Sequence, residues 1–382
     1  MPVRPTKRLA TALAAGLLLA TVATTAPAHA DTGLALPRPT GSHAVGATNL
    51  WLKDTSRSDP WVTTQPYREL MVTVWYPTDV KAGASLQYMT AADSAALLAG
   101  KHVDAEDPAI LSEIRTNAVR DAPPAGRKRS LPLVVLSPGY TMPRMTLSTI
   151  AEDLASHGYV VAGIDHTGET YSVTFPDGHV VGCTTCALDD GDRSFFGALY
   201  ESRARDVSFV LDRLIGPHPA WRGSYLIDGS RIGMSGHSAG GAASLAAMVH
   251  DPRIDAGIDM DGTTDTGGDP LVPPSGFNRP FLALVQDDHT AEADPALAAD
   301  YAALTGWKRW LSVTGAAHET FGDVALLIDW LGLQSEATID TLRGLDISRR
   351  LNEAMFDQFL RGRRQSILNN PAACYPEVVR VS

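Results

Sequence analysis

Short apolar runs alternate with longer segments of helical spacing along most of the chain. Residues 132–136 (PLVVL) are continuously apolar and stop at a Ser-Pro-Gly turn, which is typical of a strand buried on both faces. Residues 70–76 predict an earlier strand, and residues 145–157 predict a helix that Gly158 closes. Further strands are predicted at 159–164, 231–235, 254–260, 280–286 and 308–313, and further helices at 195–214, 239–250, 294–304, 323–331 and 346–360. This order predicts an α/β domain with a mostly parallel central sheet and helices on both faces.

A long connection at residues 79–128 interrupts this alternation between two early strands. Two short helices, at residues 88–98 and 108–118, are predicted within it, and no strand is predicted there. Connections of this length are uncommon unless they have a function, and many of them cover a binding site. We therefore expect an inserted helical segment that caps the site or faces the substrate, with peripheral packing as the alternative.

The first thirty residues have the features of an export signal. Basic residues precede an apolar stretch at residues 9–22, and Ala28-His29-Ala30 supplies the small-x-small cleavage pattern. The apolar stretch is too short and too rich in alanine for a membrane span, which needs roughly 20 strongly apolar residues. We expect a signal peptide at residues 1–30 that is cleaved near Ala30, a secreted product without an integral membrane span, and a single catalytic domain at residues 31–382.

The net charge and the absence of several short motifs indicate which classes of ligand and partner are not expected. The formal net charge is −11 with histidine neutral, and the basic residues are scattered rather than grouped in a block. A nucleic-acid partner is therefore not expected. The chain has no Walker A loop, no HExxH, no dinucleotide-binding glycine pattern and no calcium loop, so neither a metal nor an organic cofactor is expected.

The three cysteines are Cys183, Cys186 and Cys374. Export makes a disulfide plausible, and an odd count leaves one sulfur unpaired. We expect a structural bridge, either between Cys183 and Cys186 or from that loop to Cys374.

The sequence Gly236-His237-Ser238-Ala239-Gly240 matches the pattern G-x-S-x-G between the strand predicted at 231–235 and the helix predicted at 239–250. On such a strand-to-helix turn, small residues let the backbone pass close to itself and the serine hydroxyl stands clear of the sheet. The helix N-terminus there favours developing negative charge. Ser238 is therefore predicted to be a nucleophile.

A serine hydroxyl needs a base to accept its proton. His318 follows the strand predicted at 308–313 through a loop of small residues, and we predict that it is this base. His289 follows the preceding strand and is the competing candidate. His237, beside the serine, is expected to point away from it as a packed neighbour.

A third residue should orient the base and stabilise its charged form. Asp261 lies at the end of the strand predicted at 254–260, whereas Asp287 and Asp288 lie at the end of the next strand. Loops after both strands can face the same histidine, so spacing alone leaves the acid open between these positions.

Two backbone N–H groups are expected to bind the oxyanion of the reaction. One is that of Ala239, directly after the predicted nucleophile. The other is that of Tyr140, in the loop after the strand predicted at 132–136, where Gly139 allows close approach of the backbone to a substrate.

Taken together, these segments resemble the secreted, single-chain platelet-activating-factor acetylhydrolase family and its bacterial esterase relatives of the α/β-hydrolase fold. The resemblance runs over most of the mature chain, and the segments that carry it are DTSRSDPW (54–61), VWYP (74–77), SPG (137–139), LASHGYVV (154–161), GHSAGG (236–241), GIDMDG (257–262) and GAAHETF (315–321). In that family the acid follows the strand after the nucleophile helix, so the resemblance favours Asp261. It also implies Ser238 as nucleophile, His318 as base, and the Ala239 and Tyr140 amides as oxyanion donors.

The resemblance implies a secreted serine carboxylic-ester hydrolase with an acyl-enzyme mechanism, acting on short-chain phospholipid or related lipid esters. A lipase or cutinase that hydrolyses triacylglycerols or polyesters is the alternative, with its acid at Asp287 or Asp288. Peptidase or thioesterase chemistry could use the same three residues. A hydrolase-fold binding protein without catalysis is the alternative of another class.

Overall fold

Alternating side chains of the central strands enter two different hydrophobic cores. In the strand that contains residues 131–137, Val134 and Leu136 pack on one face of the sheet, whereas Leu133 and Val135 pack on the other. All four are almost fully buried. A strand with no polar face needs helices on both sides, and this explains the continuous apolar runs of the sequence.

The computed structural model describes residues 1, 33–189 and 191–381. Apart from Met1, the predicted signal peptide lies outside the described residues. The strands are β1 Ala44–Asp54, β2 Arg68–Thr78, β3 Ser85–Gln87, β4 Arg115–Arg120, β5 Leu131–Ser137, β6 Val160–Asp165, β7 Ser172–Thr174, β8 Val180–Gly182, β9 Ile227–His237, β10 Ala256–Met260, β11 Phe281–Gln286, β12 Lys308–Val313 and β13 Val378–Arg380. The helices are α1 Ala91–Gly100, α2 Ser148–Ser156, α3 Arg193–Ile215, α4 Ala239–His250, α5 Pro295–Ala303, α6 Val324–Trp330 and α7 Thr341–Arg361.

The main sheet has 11 strands in the order β13-β12-β11-β10-β9-β5-β6-β2-β1-β4-β3. The central strands from β6 to β12 pair in parallel, whereas β2 runs antiparallel to β6 and to β1, and β13 antiparallel to β12. Helices α2 and α7 cover one face, and α3 and α4 cover the other. This mostly parallel, doubly covered sheet is the predicted architecture, and it directs the carboxyl ends of β5, β9, β10, β11 and β12 to one edge.

The prediction for the insertion at residues 79–128 is partly wrong. Its first helix is present as α1, displaced toward the C-terminus, but residues 108–118 do not form a helix. A 3₁₀ turn at Ile110–Glu113 leads into β4, which pairs with β3 and with the edge of β1. In β4 the side chains of Thr116 and Ala118 are buried while their neighbours are more exposed, and this period of two marks a strand.

The sequence pattern did not predict the strands β1 and β13. β1 pairs with β2 along its whole length of 11 residues, although its sequence AVGATNLWLKD contains glycine and asparagine, which are uncommon in strands. Pairing with a neighbour that is already in place compensates for this weak local preference.

A disulfide joins Cys183 to Cys186, and Cys374 is an exposed free cysteine. The bridge therefore lies within the loop after β8 and does not reach Cys374. Residues Leu34–Ser382 form one compact unit. No helix in the described part of the chain has the length and apolar character needed to cross a membrane.

Candidate active site

The turn between β9 and α4 holds Ser238 in a conformation that few non-glycine residues adopt. Its φ is 56° and its ψ is −126°, and such strained backbone is typical of functional positions. Two glycines make the turn possible. A Cβ on Gly236 would lie 2.1 Å from the carbonyl oxygen of Gly240, and one on Gly240 would lie 1.9 Å from that of Ser137. The half-buried Ser238 therefore stands at the edge of the sheet, at the N-terminus of α4.

Asp261 and His318 meet at the same edge. Asp261 directly follows β10 with a φ of 59°, and its amide donates to Leu284 in the neighbouring β11. Nδ1 of His318 lies 2.6 Å from Oδ2 of Asp261. The aspartate side chain is 1% exposed and the histidine side chain 53% exposed. The structure thus brings together the predicted base and one of the predicted acids, and both line a cavity with Ser238.

Asp287 and Asp288, the other predicted acids, occupy different positions. Asp287 Oδ2 accepts a hydrogen bond of 3.0 Å from the amide of Gly315. Asp288 lines a polar cavity at the surface. Neither side chain has a hydrogen bond or ion pair with His318 within the described residues. The geometry therefore groups His318 with Asp261.

His289, which competed for the role of base, binds the other oxygen of the same acid. Its Nδ1 lies 3.0 Å from Asp261 Oδ1, and its Nε2 lies 2.9 Å from Asp294 Oδ2. Burial alone would lower the pKa of His289, but its bonds to the two carboxylates raise it to about 10. Conversely, burial would raise the pKa of Asp261, and its hydrogen bonds with His289 and His318 bring it well below the usual range.

His237 has a structural contact with the loop that carries His318. Its Nε2 lies 2.6 Å from the carbonyl oxygen of His318, and the two rings are 4.7 Å apart between centroids. Burial and the nearby His318 lower the pKa of His237 to about 4. At neutral pH His237 is therefore an uncharged donor that holds the backbone of the His318 loop.

The amides of Tyr140 and Ala239 flank the serine. Both residues line one cavity with Ser238, and neither amide has an acceptor among the hydrogen bonds of the described residues. The Ala239 amide belongs to the first turn of α4, whose N–H groups have no partner within the helix. The two amides can therefore donate to a negatively charged oxygen placed at the serine.

A buried ionic network, which the sequence analysis missed, supports the loop of Tyr140. Arg203 of α3 donates to the carbonyl oxygen of Pro138 at 2.5 Å and to Glu169 Oε2 at 2.6 Å. The backbone carbonyl of Glu169 in turn accepts from the amide of Thr141 at 3.1 Å. Arg203 is 1% exposed and Glu169 is fully buried. This network holds the backbone on both sides of Gly139 and Tyr140.

The same network extends to the sheet beneath the loop. His166 bonds Ser137 Oγ at 3.0 Å and Asp206 Oδ2 at 2.8 Å, and Arg68 forms a two-pronged pair with Asp206. Burial would raise the pKa of Asp206, but Arg68 and His166 hold it far below the usual range. The available sequence signal was the presence of charged residues on the buried face of α3 and within the apolar β2.

An apolar cavity of about 370 Å³ opens on one side of Ser238. The insertion contributes Leu97, Leu98 and Leu111 to its wall, and the chain from α6 onward contributes several more aliphatic side chains. The apolar side chains that line this cavity are Leu97, Leu98, Val103, Leu111, Met142, Val324, Leu327, Ile328, Leu331 and Leu333. Residues of the insertion thus form part of the wall of a cavity that Ser238 also lines.

A second cavity, here called the aromatic cavity, is also lined by Ser238 and also measures about 370 Å³. Tyr140, Phe196 and Tyr200 line it, together with polar groups that include Arg193 and Gln286. The ring of Phe196 lies 5.9 Å from that of Tyr140 and 6.1 Å from that of Tyr200, between centroids. These rings form an aromatic wall next to the serine.

Comparisons with known proteins identify relatives of the whole chain. The model of the family described as Platelet-activating factor acetylhydrolase, isoform II, matches residues 28–177 and 224–366. A probable 1-alkyl-2-acetylglycerophosphocholine esterase of Arthroderma benhamiae is 28% identical over 400 residues, which cover 95% of this chain and 98% of that protein. Cutinase 2 of Thermobifida cellulosilytica is 32% identical over 127 residues, which cover 33% of this chain and 38% of the cutinase.

A solved structure is also similar. The ferulic acid esterase from Streptomyces cinnamoneus has a TM-score of 0.82 and 38% sequence identity, with 92% of this chain and 100% of that chain covered. These comparisons confirm both the resemblance and the α/β-hydrolase fold that the sequence predicted.

Proposed function

The chain belongs to the esterases of the platelet-activating factor acetylhydrolase, isoform II, family, and from this premise we propose that it hydrolyses carboxylic esters through an acyl-enzyme on Ser238. The observation that carries the proposal is the bond of 2.6 Å between His318 Nδ1 and Asp261 Oδ2, beside a serine on a strained turn. With Nδ1–H donated to Asp261, Nε2 of His318 is the unprotonated nitrogen, as a base requires.

The reaction proceeds in two halves. His318 Nε2 takes the proton of Ser238 Oγ as the oxygen attacks the ester carbonyl, and the Tyr140 and Ala239 amides stabilise the oxyanion. The imidazolium then gives its proton to the departing alcohol, which leaves an acyl-enzyme. Water, activated by the same nitrogen, attacks this acyl group and releases the acid.

The apolar cavity supports an ester with an aliphatic chain. Half of its lining residues are leucine, isoleucine or valine, and binding a hydrocarbon chain against them is favourable because it removes apolar surface from water. We propose short-chain phospholipid or related lipid esters as the substrates. The fungal relative, which is named for a 1-alkyl-2-acetylglycerophosphocholine substrate, supports this class.

A second candidate is the hydrolysis of aromatic esters. Tyr140, Phe196 and Tyr200 surround the aromatic cavity, and rings of this kind favour stacked or edge-on contacts with another ring. The similar Streptomyces enzyme is named for ferulic acid, an aromatic acid. Cutinase-type hydrolysis of polyesters or triacylglycerols, which the sequence analysis kept as an alternative, has support from relatives that match about a third of the chain.

We further propose that the protein is secreted after cleavage near Ala30. The basic start, the apolar stretch and the small-x-small pattern of residues 1–30 support this proposal. Mass spectrometry of the protein from the culture medium should give Asp31 as the first residue.

The test of the function is the hydrolysis of p-nitrophenyl esters from acetate to palmitate, and of methyl ferulate, by the mature protein. Ser238→Ala should abolish turnover of every ester, whereas the control Asp287→Asn should retain it. An organophosphate should label the wild type at Ser238 and leave Ser238→Ala unlabelled. Turnover by Ser238→Ala equal to that of the wild type would contradict the mechanism, and a folded wild type without activity or labelling would favour a binding protein.

The ester series also separates the candidate substrates. Preference for short acyl chains supports the acetylhydrolase-like class, and preference for palmitate supports a lipase or cutinase. A higher kcat/KM for methyl ferulate than for the aliphatic esters supports the aromatic class.

A further inference from the structure

Asp261 is bound by two histidines rather than one. His318 Nδ1 lies 2.6 Å from its Oδ2, and His289 Nδ1 lies 3.0 Å from its Oδ1. The amide of Gln286 also donates to Oδ1 at 3.0 Å. The catalytic mechanism proposed above uses only the first of these contacts, so the second histidine has no role in it.

The geometry of His289 determines its protonation. Its second ring nitrogen, Nε2, lies 2.9 Å from Oδ2 of Asp294. Ionised carboxylates only accept hydrogen bonds, so a ring with one carboxylate at each nitrogen needs a proton on both. A neutral ring would point a lone pair at a carboxylate oxygen. His289 is therefore an imidazolium.

The surroundings fix this ring in place. The side chain of His289 is 13% exposed, that of Asp261 1% and that of Asp294 8%. Asp294 is itself held as the N-cap of α5, where its Oδ1 accepts from the amide of Leu297 at 2.9 Å. The ring also meets Trp310 edge to face, with centroids 6.4 Å apart.

Other charged groups lie near both histidines. The charged groups around His289 within the described residues are Asp261, Asp294, Asp259, Asp265, Asp288 and Arg193, and those around His318 are Asp261, His237, His289, Arg193, Glu319 and Lys101. Tyr140 and Tyr200 line the aromatic cavity with both histidines. Burial raises the pKa of Asp259 well above the usual range. The ion pairs that His289 forms are those with Asp261 and with Asp294.

We propose that His289 is a positioning residue of the esterase, one that holds Asp261 in place against His318 and offsets the second carboxylate charge near the base. This proposal rests on the function proposed above, since it assigns His289 a role in the same site. With His318 neutral, Asp294, His289 and Asp261 carry a net charge of one negative unit. Without His289 they would carry two, and protonated His318 would be favoured. His289 therefore keeps the base unprotonated, and active, at lower pH.

The pH dependence of kcat/KM tests this role with two variants. His289→Gln keeps a donor but removes the positive charge, so the acidic limb of the profile should move upward by about one pH unit. Asp294→Asn retains a helix N-cap and removes a negative charge, so its acidic limb should stay in place or move downward. A His289→Gln profile with an unmoved acidic limb, lowered equally at every pH, would overturn the proposal. Because the limb is a ratio of rates, partial misfolding of a variant does not move it.

The charge of His289 can also be measured without turnover. Nitrogen NMR of protein labelled at histidine, with the His289→Gln spectrum used for assignment, should show both ring nitrogens protonated at pH 8. A ring protonated at only one nitrogen would overturn the proposal. This measurement also distinguishes the two hypotheses, since Ser238→Ala can be inactive as expected while His289 proves neutral.

Discussion

The two cavities that meet at Ser238 share Tyr140, Ser238 and His318 but take most of their other walls from different parts of the fold. The apolar cavity takes most of its aliphatic side chains from the insertion, from α6 and from the residues that follow α6. The aromatic cavity takes its other walls from α3 and from the loops after β10 and β11, which carry the proposed acid Asp261 and His289. If Ser238 is the nucleophile, as proposed, an ester with one aliphatic and one aromatic group can place each group against a different surface.

The supports of the two cavities differ as well. The network of Arg203 and Glu169 holds the loop of Tyr140, a residue that lines both cavities. On the apolar side, α6 begins after Asp323, a buried carboxyl that accepts from the Thr149 amide at 3.1 Å and contacts the Tyr88 hydroxyl at 3.2 Å. The first support depends on paired charges, whereas the carboxyl of Asp323 has no ion pair within the part of the chain that the structure describes.

Asp261→Asn should have the largest effect and act on esters of both kinds, because Ser238 and His318 of the proposed triad line both cavities. An asparagine cannot stabilise the imidazolium of His318, so kcat/KM should fall about a thousandfold or more for p-nitrophenyl decanoate and for methyl ferulate alike. Asp287→Asn is the matched control and should change both values little. A loss on one ester alone, or an equal loss in the control, would contradict the assignment of the acid.

Leu98→Trp should fill part of the apolar cavity and so affect aliphatic esters more than aromatic ones. Leu98 is 4% exposed, and a larger ring at its position removes space for an alkyl chain. We expect kcat/KM for the decanoate ester to fall roughly tenfold to a hundredfold, while that for methyl ferulate is retained. Leu98→Met, which conserves volume, is the control. An equal fall for both esters would show that the two cavities are not independent.

Phe196→Ala is the reciprocal change in the aromatic cavity. It removes the ring contacts with Tyr140 and Tyr200, so kcat/KM for methyl ferulate should fall about tenfold while the decanoate ester is unaffected. Phe196→Tyr retains the ring and should behave as the wild type. If Phe196→Ala hydrolysed ferulate at the wild-type rate, the aromatic wall would have no part in binding.

Asp323→Asn should have the smallest effect and act on stability. Burial raises the pKa of Asp323 to about 7, above its value in the unfolded chain. The folded state then binds the proton more tightly, so its contribution to stability is complete below about pH 4 and is lost as the pH rises to about 7. Asparagine does not titrate, so the melting temperature of the variant should fall less over this interval than that of the wild type. We expect the two falls to differ by about 2 °C. If the melting temperatures of both proteins changed by the same amount between pH 5 and 8, this account would be refuted.

Much of the fold follows from local patterns. The run at residues 132–136 had to be a buried strand because it has no polar face, and β12 and α4 have the bounds that periodicity predicted. The secondary structure of the insertion is harder to predict from the sequence. β4 has a short period of two that lies within a stretch of helix-forming residues, and only its pairing with β1 and β3 makes it a strand.

In the candidate active site, too, some features follow from local sequence and others only from the fold. The pattern around Ser238 determines a strained turn, because the glycines at positions 236 and 240 allow a close approach that no side chain permits. The position of His318 after the last parallel strand placed it at the correct edge of the sheet. For the acid, however, spacing alone left Asp261 and Asp287 open, since both follow parallel strands that end at that edge.

Local sequence patterns are enough to predict the order of strands and helices and the turn that carries Ser238. They also predict that the polar residues lie at the carboxyl ends of the parallel strands, because each of these features depends on residues that are close in sequence. The contacts of the folded chain determine which aspartate binds His318, that His289 binds the same aspartate, and that Arg203 holds the loop of Tyr140. Those contacts join residues that are tens of positions apart. Their distances depend on the pairing of strands and the packing of helices, which no local pattern contains.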